Sequence, residues 1–315
     1  MDFDRLIARF REFGGWRLVS AYSDMGVLWP GIRSLVRCAV TGRKFKAVYP
    51  EITRRVDRIL LERYGEIKGA AEFPNEGKSA APSAPTAERI WFCWLQGMAD
   101  APELVKACLK SQRRCFGEDN VVVLDDRNYT RWVTLPEYVV EKYRSGIMPA
   151  AMFSDLLRLE ILLRHGGTWI DSTVLVTGKV TIPQCDLLLF RYLRNNRVEG
   201  VSNWFIHACA GNPLLADVRA MLMAYWKDFD CTVDYYMMHL FLGHAARRYP
   251  AMIAAMPRAN SYWALILRDM LQDSFDAAKW DELLRHVSIH KLNYRLAGKA
   301  EKNPDSYYNH ILSEK

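Results

Sequence analysis

No stretch of the 315 residues reaches the eighteen or so uninterrupted apolar residues that a membrane-spanning helix needs. The longest run free of Lys, Arg, Asp and Glu, Gly200–Ala216, carries Asn203, His207, Asn212 and Pro213, so it is no span. Met1–Arg11 holds Asp2, Asp4, Arg5, Arg9 and Arg11 with no apolar block behind it, and does not read as an export signal. No internal repeat is visible. Seven cysteines (Cys38, Cys93, Cys108, Cys115, Cys185, Cys209 and Cys231) are an odd number without a CxxC pair. That argues against a zinc cluster or disulfide framework and suits a reducing compartment. Hydrophobic residues at 50% and charged residues at 25% exclude a disordered chain, a collagen-like repeat and a coiled-coil rod.

The net charge of +7 is unevenly placed. Residues 1–70 hold 14 Lys/Arg against 8 Asp/Glu, and the remainder is close to neutral. A nucleic-acid binder carries its basic surface more widely, and no recognition motif is present, so nucleic acid is not an expected partner. A basic arm suits anionic lipid or a charged partner, and an ordinary solvated helical face is the plain alternative.

Three regions are expected. Residues 1–68 read as a basic helical extension, from spacings such as Leu6, Phe10, Phe13 and Ile52, Val56, Ile59, Leu60, with a break at Trp29-Pro30-Gly31. Residues 69–87, rich in Ala, Pro and Ser, read as a linker. Residues 88–315 then alternate strand and helix. Strands are expected at Arg89–Trp94, Val121–Leu124, Thr168–Val176, Asp186–Phe190 and Trp204–Cys209. Helices are expected at Ala101–Arg114, Pro136–Tyr143, Pro149–His165 and Trp280–His286, with a short strand or loop at Val287–Leu292. This α/β order predicts a largely parallel sheet with ligands beyond the carboxyl ends of its strands.

The stretch Ala151–Thr173 concentrates the chemistry. Asp155 and Arg158 share a helix face, which an ion pair alone would explain. Gly166 falls where a left-handed helix cap belongs, and Gly166-Gly167 allows a tight turn into a strand. Alternation along that strand puts Trp169, Asp171 and Thr173 on one face. A carboxylate at the end of a buried strand costs free energy unless something binds it.

Ser154-Asp155-x-x-Arg158 followed by Gly166-Gly167-x-x-x-Asp171-x-Thr173 resembles the DxD sugar-binding region of glycosyltransferase family 32, in its bacterial capsular polysaccharide synthesis branch. Ile90–Gly97, Ala101–Ser111, Val123–Tyr129 and Ser288–Leu292 are similar to that branch as well, so the resemblance covers about residues 88–295. It implies a GT-A (Rossmann-like) fold and transfer of a sugar from a nucleotide-diphosphate donor to a polysaccharide or lipid-linked acceptor, with retention at the anomeric carbon. It also implies a divalent cation, Mn²⁺ or Mg²⁺, since carboxylates suit such ions and the departing diphosphate gains charge.

By the same match, Asp171 would hold the metal or a metal-bound water, with Thr173 and His290 as further metal residues. Thr173 stands where the motif's second acid belongs, and a neutral hydroxyl is a poorer ligand than a carboxylate. Asp155 would bond donor hydroxyls, Arg158 would steer the sugar or its phosphates, and Lys291 would meet the diphosphate. Trp91, Trp94 and Gln96 would receive the base, where an aromatic can stack. Asn203, Asp234 and His239 fall in segments similar to the family's and are candidates near the anomeric carbon. No residue stands out as a nucleophile.

Two function classes follow. One is a glycosyltransferase in the cytoplasm, peripheral on the inner face of the plasma membrane through residues 1–68. The other is a non-catalytic sugar-nucleotide-binding scaffold of an assembly complex, supported by Thr173. A glycosidase fits less well, because Asp155 has a basic neighbour and precedes a glycine turn.

Overall fold

The computed structural model describes residues 10–41, 49–69, 89–194, 197–296 and 303–313. The linker expected over 69–87 lies outside the described residues, apart from Gly69. The chain divides into two compact units. One gathers Met1–Glu72, Thr134–Glu160 and Pro213–Tyr249, and the other gathers Phe73–Val133, Ile161–Asn212 and Pro250–Lys315. Instead of forming an extension set apart from residues 88–315, the amino-terminal helices therefore group with two later segments.

In chain order the elements are α1 (Trp16–Asp24), α2 (Leu28–Thr41), α3 (Tyr49–Tyr64), β1 (Ile90–Cys93), α4 (Glu103–Phe116) and β2 (Val121–Leu124). Next come α5 (Glu137–Arg144), α6 (Ala150–His165), β3 (Gly167–Ile170), β4 (Val174–Val176), β5 (Leu187–Arg194) and β6 (Arg197–Ala208). The chain continues through α7 (Pro213–Asp228), α8 (Met237–Ala246), α9 (Pro250–Ala255), α10 (Ser261–Met270), α11 (Ala277–His286), β7 (Ile289–Lys291) and α12 (Tyr307–Ser313). The break expected at Trp29-Pro30-Gly31 falls earlier, at Gly26-Val27. Pro30 sits in the first turn of α2, where its missing N–H costs nothing.

The first unit is helical. Val56, Leu60 and Tyr64 of α3 are buried, as are Tyr225 and Trp226 of α7 and Phe241 of α8, and burying such side chains stabilises by about 1.5–3 kcal/mol each. Tyr64 donates to Asp228 Oδ2 at 2.7 Å, Tyr22 to the Val233 carbonyl at 2.9 Å, and the Thr232 N–H to the Phe13 carbonyl at 3.0 Å. Arg248 pairs with buried Asp217 at 3.1 Å, and the same carboxylate accepts the Gly69 N–H through Oδ1 at 2.9 Å. These long-range bonds tie residues 13–69 to the segment 213–249.

The second unit carries a five-stranded sheet in the order β2-β1-β3-β6-β5. Strands β1, β2 and β3 are parallel, whereas β6 runs antiparallel to β3 and β5 antiparallel to β6. The sheet is thus mixed, not largely parallel. Strands β5 and β6 pair with each other directly, without the crossover that parallel neighbours need. Ile90, Phe92, Ile170, Phe190 and Phe205 from the sheet share one core with Val105 and Leu109 of α4. Leu104 and Cys108, on another side of α4, pack with Leu267, Trp280 and Tyr307. The helix is anchored on both sides.

The strand expected over Thr168–Val176 is two strands. A turn at Ser172-Thr173 ends β3, and β4 leaves the main sheet to pair antiparallel with β7 in the register Val174↔Lys291, Leu175↔His290 and Val176↔Ile289. The Leu292 N–H to Thr173 carbonyl bond at 2.8 Å extends this pairing up to the turn.

Candidate functional site

Helix α6 ends by donating from the Gly166 N–H to the Leu162 carbonyl at 2.9 Å, and Gly166 (φ 64) and Gly167 (φ 93) then reverse the chain into β3. Both are left-handed, and neither position has room for a side chain. A Cβ at Gly167 would lie 2.5 Å from the Arg89 carbonyl oxygen, and one at Gly166 would lie 2.9 Å from the Ala210 nitrogen. Strand β3 consequently starts flush against β1, with the Thr168 N–H on the Arg89 carbonyl at 2.9 Å. The strand delivers Asp171 at its carboxyl end, where the Asp171 N–H reaches the Trp204 carbonyl at 2.9 Å.

Three side chains converge there. Lys291 Nζ donates to Asp171 Oδ2 at 2.7 Å and to Thr173 Oγ1 at 2.7 Å. The other carboxylate oxygen, Asp171 Oδ1, accepts from Trp169 Nε1 at 3.0 Å. The side chains of Lys291 and Asp171 keep 22% and 21% of their accessible surface, so solvent and ligands reach the pair. Asp171 and Thr173 meet through the turn and through Lys291, since the turn ends the strand alternation that had suggested a shared face.

Buried Gln112, on α4, holds the turn from behind. Its Nε2 donates to the Val174 carbonyl at 2.9 Å and lies 3.3 Å from the Asp171 carbonyl. Ser111 beside it accepts the Val176 N–H at 3.0 Å. Neither residue was expected at the site. The available signal was two polar residues, Ser111 and Gln112, on a helix face otherwise apolar, because buried polar groups require partners.

His290 does not join this cluster. It is fully buried, it alternates to the side of β7 opposite Lys291, and its Nε2 lies 2.9 Å from Thr177 Oγ1. Burial holds its imidazole at about 4, so the ring is neutral near pH 7. Among the described residues Asp171 is then the one carboxylate of the cluster, Thr173 is uncharged, and the Lys291 ammonium lies within hydrogen-bonding distance of both. Among the described residues no group of three His, Cys, Asp or Glu is arranged to hold a metal ion. A donor set of one carboxylate shared with an ammonium does not fit the expected divalent cation, because the two positive charges compete for the same oxygens.

The expected base site divides. Trp91 leaves it: the side chain is fully buried, its Nε1 donates to the Gly166 carbonyl at 2.9 Å, and Trp132 packs edge-on at 5.0 Å. No face remains for a nucleotide base. Trp94, at the carboxyl end of β1, is half-buried and lies edge-on to Tyr294 at 5.5 Å. Its backbone N–H continues the ladder to the Leu124 carbonyl at 2.9 Å, while its buried Nε1 has no hydrogen-bond partner among the described residues. Gln96 is exposed just beyond. Asn203, on β6, is half-buried and directly precedes Trp204, whose carbonyl accepts the Asp171 N–H. Asp125 closes a turn after β2, accepting the Arg127 N–H at 2.9 Å.

Asp155, Arg158 and Asp234 belong to the helical unit. Arg158 Nη2 lies 3.1 Å from Asp155 Oδ1 and 3.0 Å from Ser154 Oγ, with both charged side chains less than 10% exposed. Asp234 precedes α8 instead of lying on it, and accepts the Tyr236 N–H at 2.5 Å. Burial raises its carboxyl above the ordinary value, and burial together with the Asp234 charge raises Asp57 of α3 to about 6. His239, in α8, lies edge-on to Tyr236 at 5.4 Å.

Residues 46–311 match the family described as capsular polysaccharide synthesis protein. The chain belongs to that family. Membership ties it to capsular polysaccharide synthesis. The matched region begins before α3, so that helix is part of the family's own domain. No curated protein matches the chain significantly. Among solved structures, one described as PaToxG glycosyltransferase is similar at 16% identity over 53% of this chain and 73% of its own, with a TM-score of 0.39. A cysteine-to-serine double mutant of a transferase is similar at 13% identity over 53% of this chain and 86% of its own, with a TM-score of 0.33.

Proposed function

We propose that the protein transfers a sugar from a nucleotide-diphosphate donor to a growing capsular polysaccharide or a lipid-linked acceptor, with a GT-A type donor site at the carboxyl ends of β1 and β3. The observation that carries this reading is the Asp171–Thr173 turn with Lys291 bonded to both residues. A nucleotide diphosphate is a polyanion whose charge grows as the glycosidic bond breaks. A positioned cation at the end of parallel strands suits that task. Trp94, with an indole N–H to spare, and exposed Gln96 are suited to the base. Asp155 and Arg158 enter through the motif, as hydroxyl and phosphate contacts, and Asn203 and Asp234 are acceptor-side candidates on the same footing. Retention of configuration follows from the family resemblance.

The expected site of action is the cytoplasmic face of the plasma membrane, where sugar nucleotides are available. No helix among the described residues is long and apolar enough to cross a membrane. Trp16 (80% exposed) and Trp29 (68%) stand beside exposed Arg17 and Arg33, and this pairing of aromatic and basic side chains suits an anionic lipid surface. Trp16→Ser/Trp29→Ser should lose partitioning onto phosphatidylglycerol vesicles. Unchanged partitioning would rule out this face.

A thermal-shift panel of UDP-, GDP-, CDP-, dTDP- and ADP-sugars, read together with nucleotide release, tests the activity. One donor should raise the melting midpoint and be consumed when an acceptor is supplied. A donor that binds without turnover across acceptors would favour the scaffold. No binding by any donor would defeat the reading.

A further inference from the structure

Resting on the donor-site reading above, we propose that the Lys291 ammonium takes the place of a divalent cation, so that the donor diphosphate is held and its departure assisted without metal. An ammonium has three N–H donors. Two of them are directed at Asp171 Oδ2 and Thr173 Oγ1, both at 2.7 Å, and the third is left for a phosphate oxygen. The remaining exposure of the Lys291 side chain gives a ligand access to it.

The surroundings are built to hold the ammonium in place. Strand β7 is locked to β4 in register, which sets Lys291 opposite Val174 and beside the turn. Trp169 fixes Asp171 Oδ1, so Oδ2 faces Lys291, and Gln112 secures the backbone of the turn. Asp171 is then a positioning residue: its charge orients the ammonium. Thr173 also acquires a purpose. A second carboxylate here would bind Lys291 more strongly and offset the positive charge presented to the diphosphate, whereas a hydroxyl orients the ammonium and leaves that charge available.

In the transfer step, the bond between the anomeric carbon and the β-phosphate oxygen breaks and its electron pair stays on that oxygen. The acceptor hydroxyl oxygen forms the new bond to carbon, and its proton passes to the departing diphosphate. Lys291 keeps its own proton and contributes charge and one hydrogen bond.

The test is calorimetric binding of UDP, GDP, CDP, dTDP and ADP to the full chain in EDTA, then in Mn²⁺ or Mg²⁺. It uses wild type, Lys291→Ala, Lys291→Arg and Asp171→Asn, each with its ligand-free melting midpoint as a folding control. One diphosphate should bind wild type equally, within about twofold, with and without metal. Lys291→Ala should weaken it tenfold or more, and Lys291→Arg should restore most of the loss. In Asp171→Asn the loss should be confined to the diphosphate and leave the matching nucleoside unaffected, a split that general damage to the turn would not produce. Binding that vanishes in EDTA and returns with Mn²⁺ would overturn the Lys291 proposal while keeping the donor site. Failure of every diphosphate in both conditions would overturn the donor site and this proposal together.

Discussion

Two acidic residues with basic partners, one in each unit, look alike on paper and differ in the fold. Asp155 and Arg158 are one helical turn apart, with side chains 9% and 6% exposed. Asp171 and Lys291 are separated by 120 residues, and each keeps about a fifth of its side-chain surface. A buried pair is a structural commitment, because losing one partner leaves an uncompensated charge in a poor solvent. A pair open to solvent contributes little to stability and stays free to exchange partners with a ligand. Similar motifs therefore meet different physical conditions: the buried pair is costly to break, and the exposed pair is open to a ligand.

The largest expected effect comes from breaking the buried pair. Arg158→Ala should cost about 3–5 kcal/mol, read from denaturant unfolding, and Asp155→Ala/Arg158→Ala should cost less than Arg158→Ala alone. If the single variant unfolds like wild type, the buried pair is not structural. Asp171→Ala should instead lower kcat by about 10²–10³ once the donor is known, at a stability cost of about 1 kcal/mol or less. Equal turnover by this variant would remove Asp171 from the donor site.

A third test bears on how the turn is delivered. Gly167→Ala forces a left-handed residue and a Cβ 2.5 Å from the Arg89 carbonyl oxygen, so it should destabilise by at least about 1–2 kcal/mol and lower diphosphate affinity as β3 shifts.

The smallest effects are in pH dependence, and they have opposite signs in the two units. His290, held at about 4 against an ordinary 6.5, binds a proton in the unfolded chain and not in the folded one across that window. Its contribution is present above pH 6.5 and lost as pH falls toward 4. Asp57, raised from 3.8 to about 6, keeps a proton when folded that the unfolded chain has released, so stability falls as pH rises through that range. The difference in melting midpoint between pH 7.5 and pH 4.5 should shrink in His290→Gln and grow in Asp57→Asn. Changes of the same sign would show that one assignment is wrong.

Local pattern was enough for the α/β order, for most element positions in residues 89–292 and for the Gly166-Gly167 turn. Each depends on periodicity, capping or backbone sterics within a few residues. The Asp155–Arg158 contact was legible for the same reason, since helical spacing of three fixes it. The motif also located Asp171, because the strand that carries it must end where the turn begins. What escaped is long-range. That β6 and β5 join antiparallel, that α3 packs with α7 and α8, and that Trp91 turns inward to the Gly166 carbonyl all depend on which surfaces find each other. The alternation of β7 separates His290 from Lys291, but only its pairing with β4 decides which of the two faces Asp171. The sequence by itself determined an acidic turn after a glycine pair in an α/β chain. The tertiary structure decided that a lysine 120 residues away would share that turn's carboxylate, because strand pairing, unlike helical spacing, is set by the packing of the whole unit.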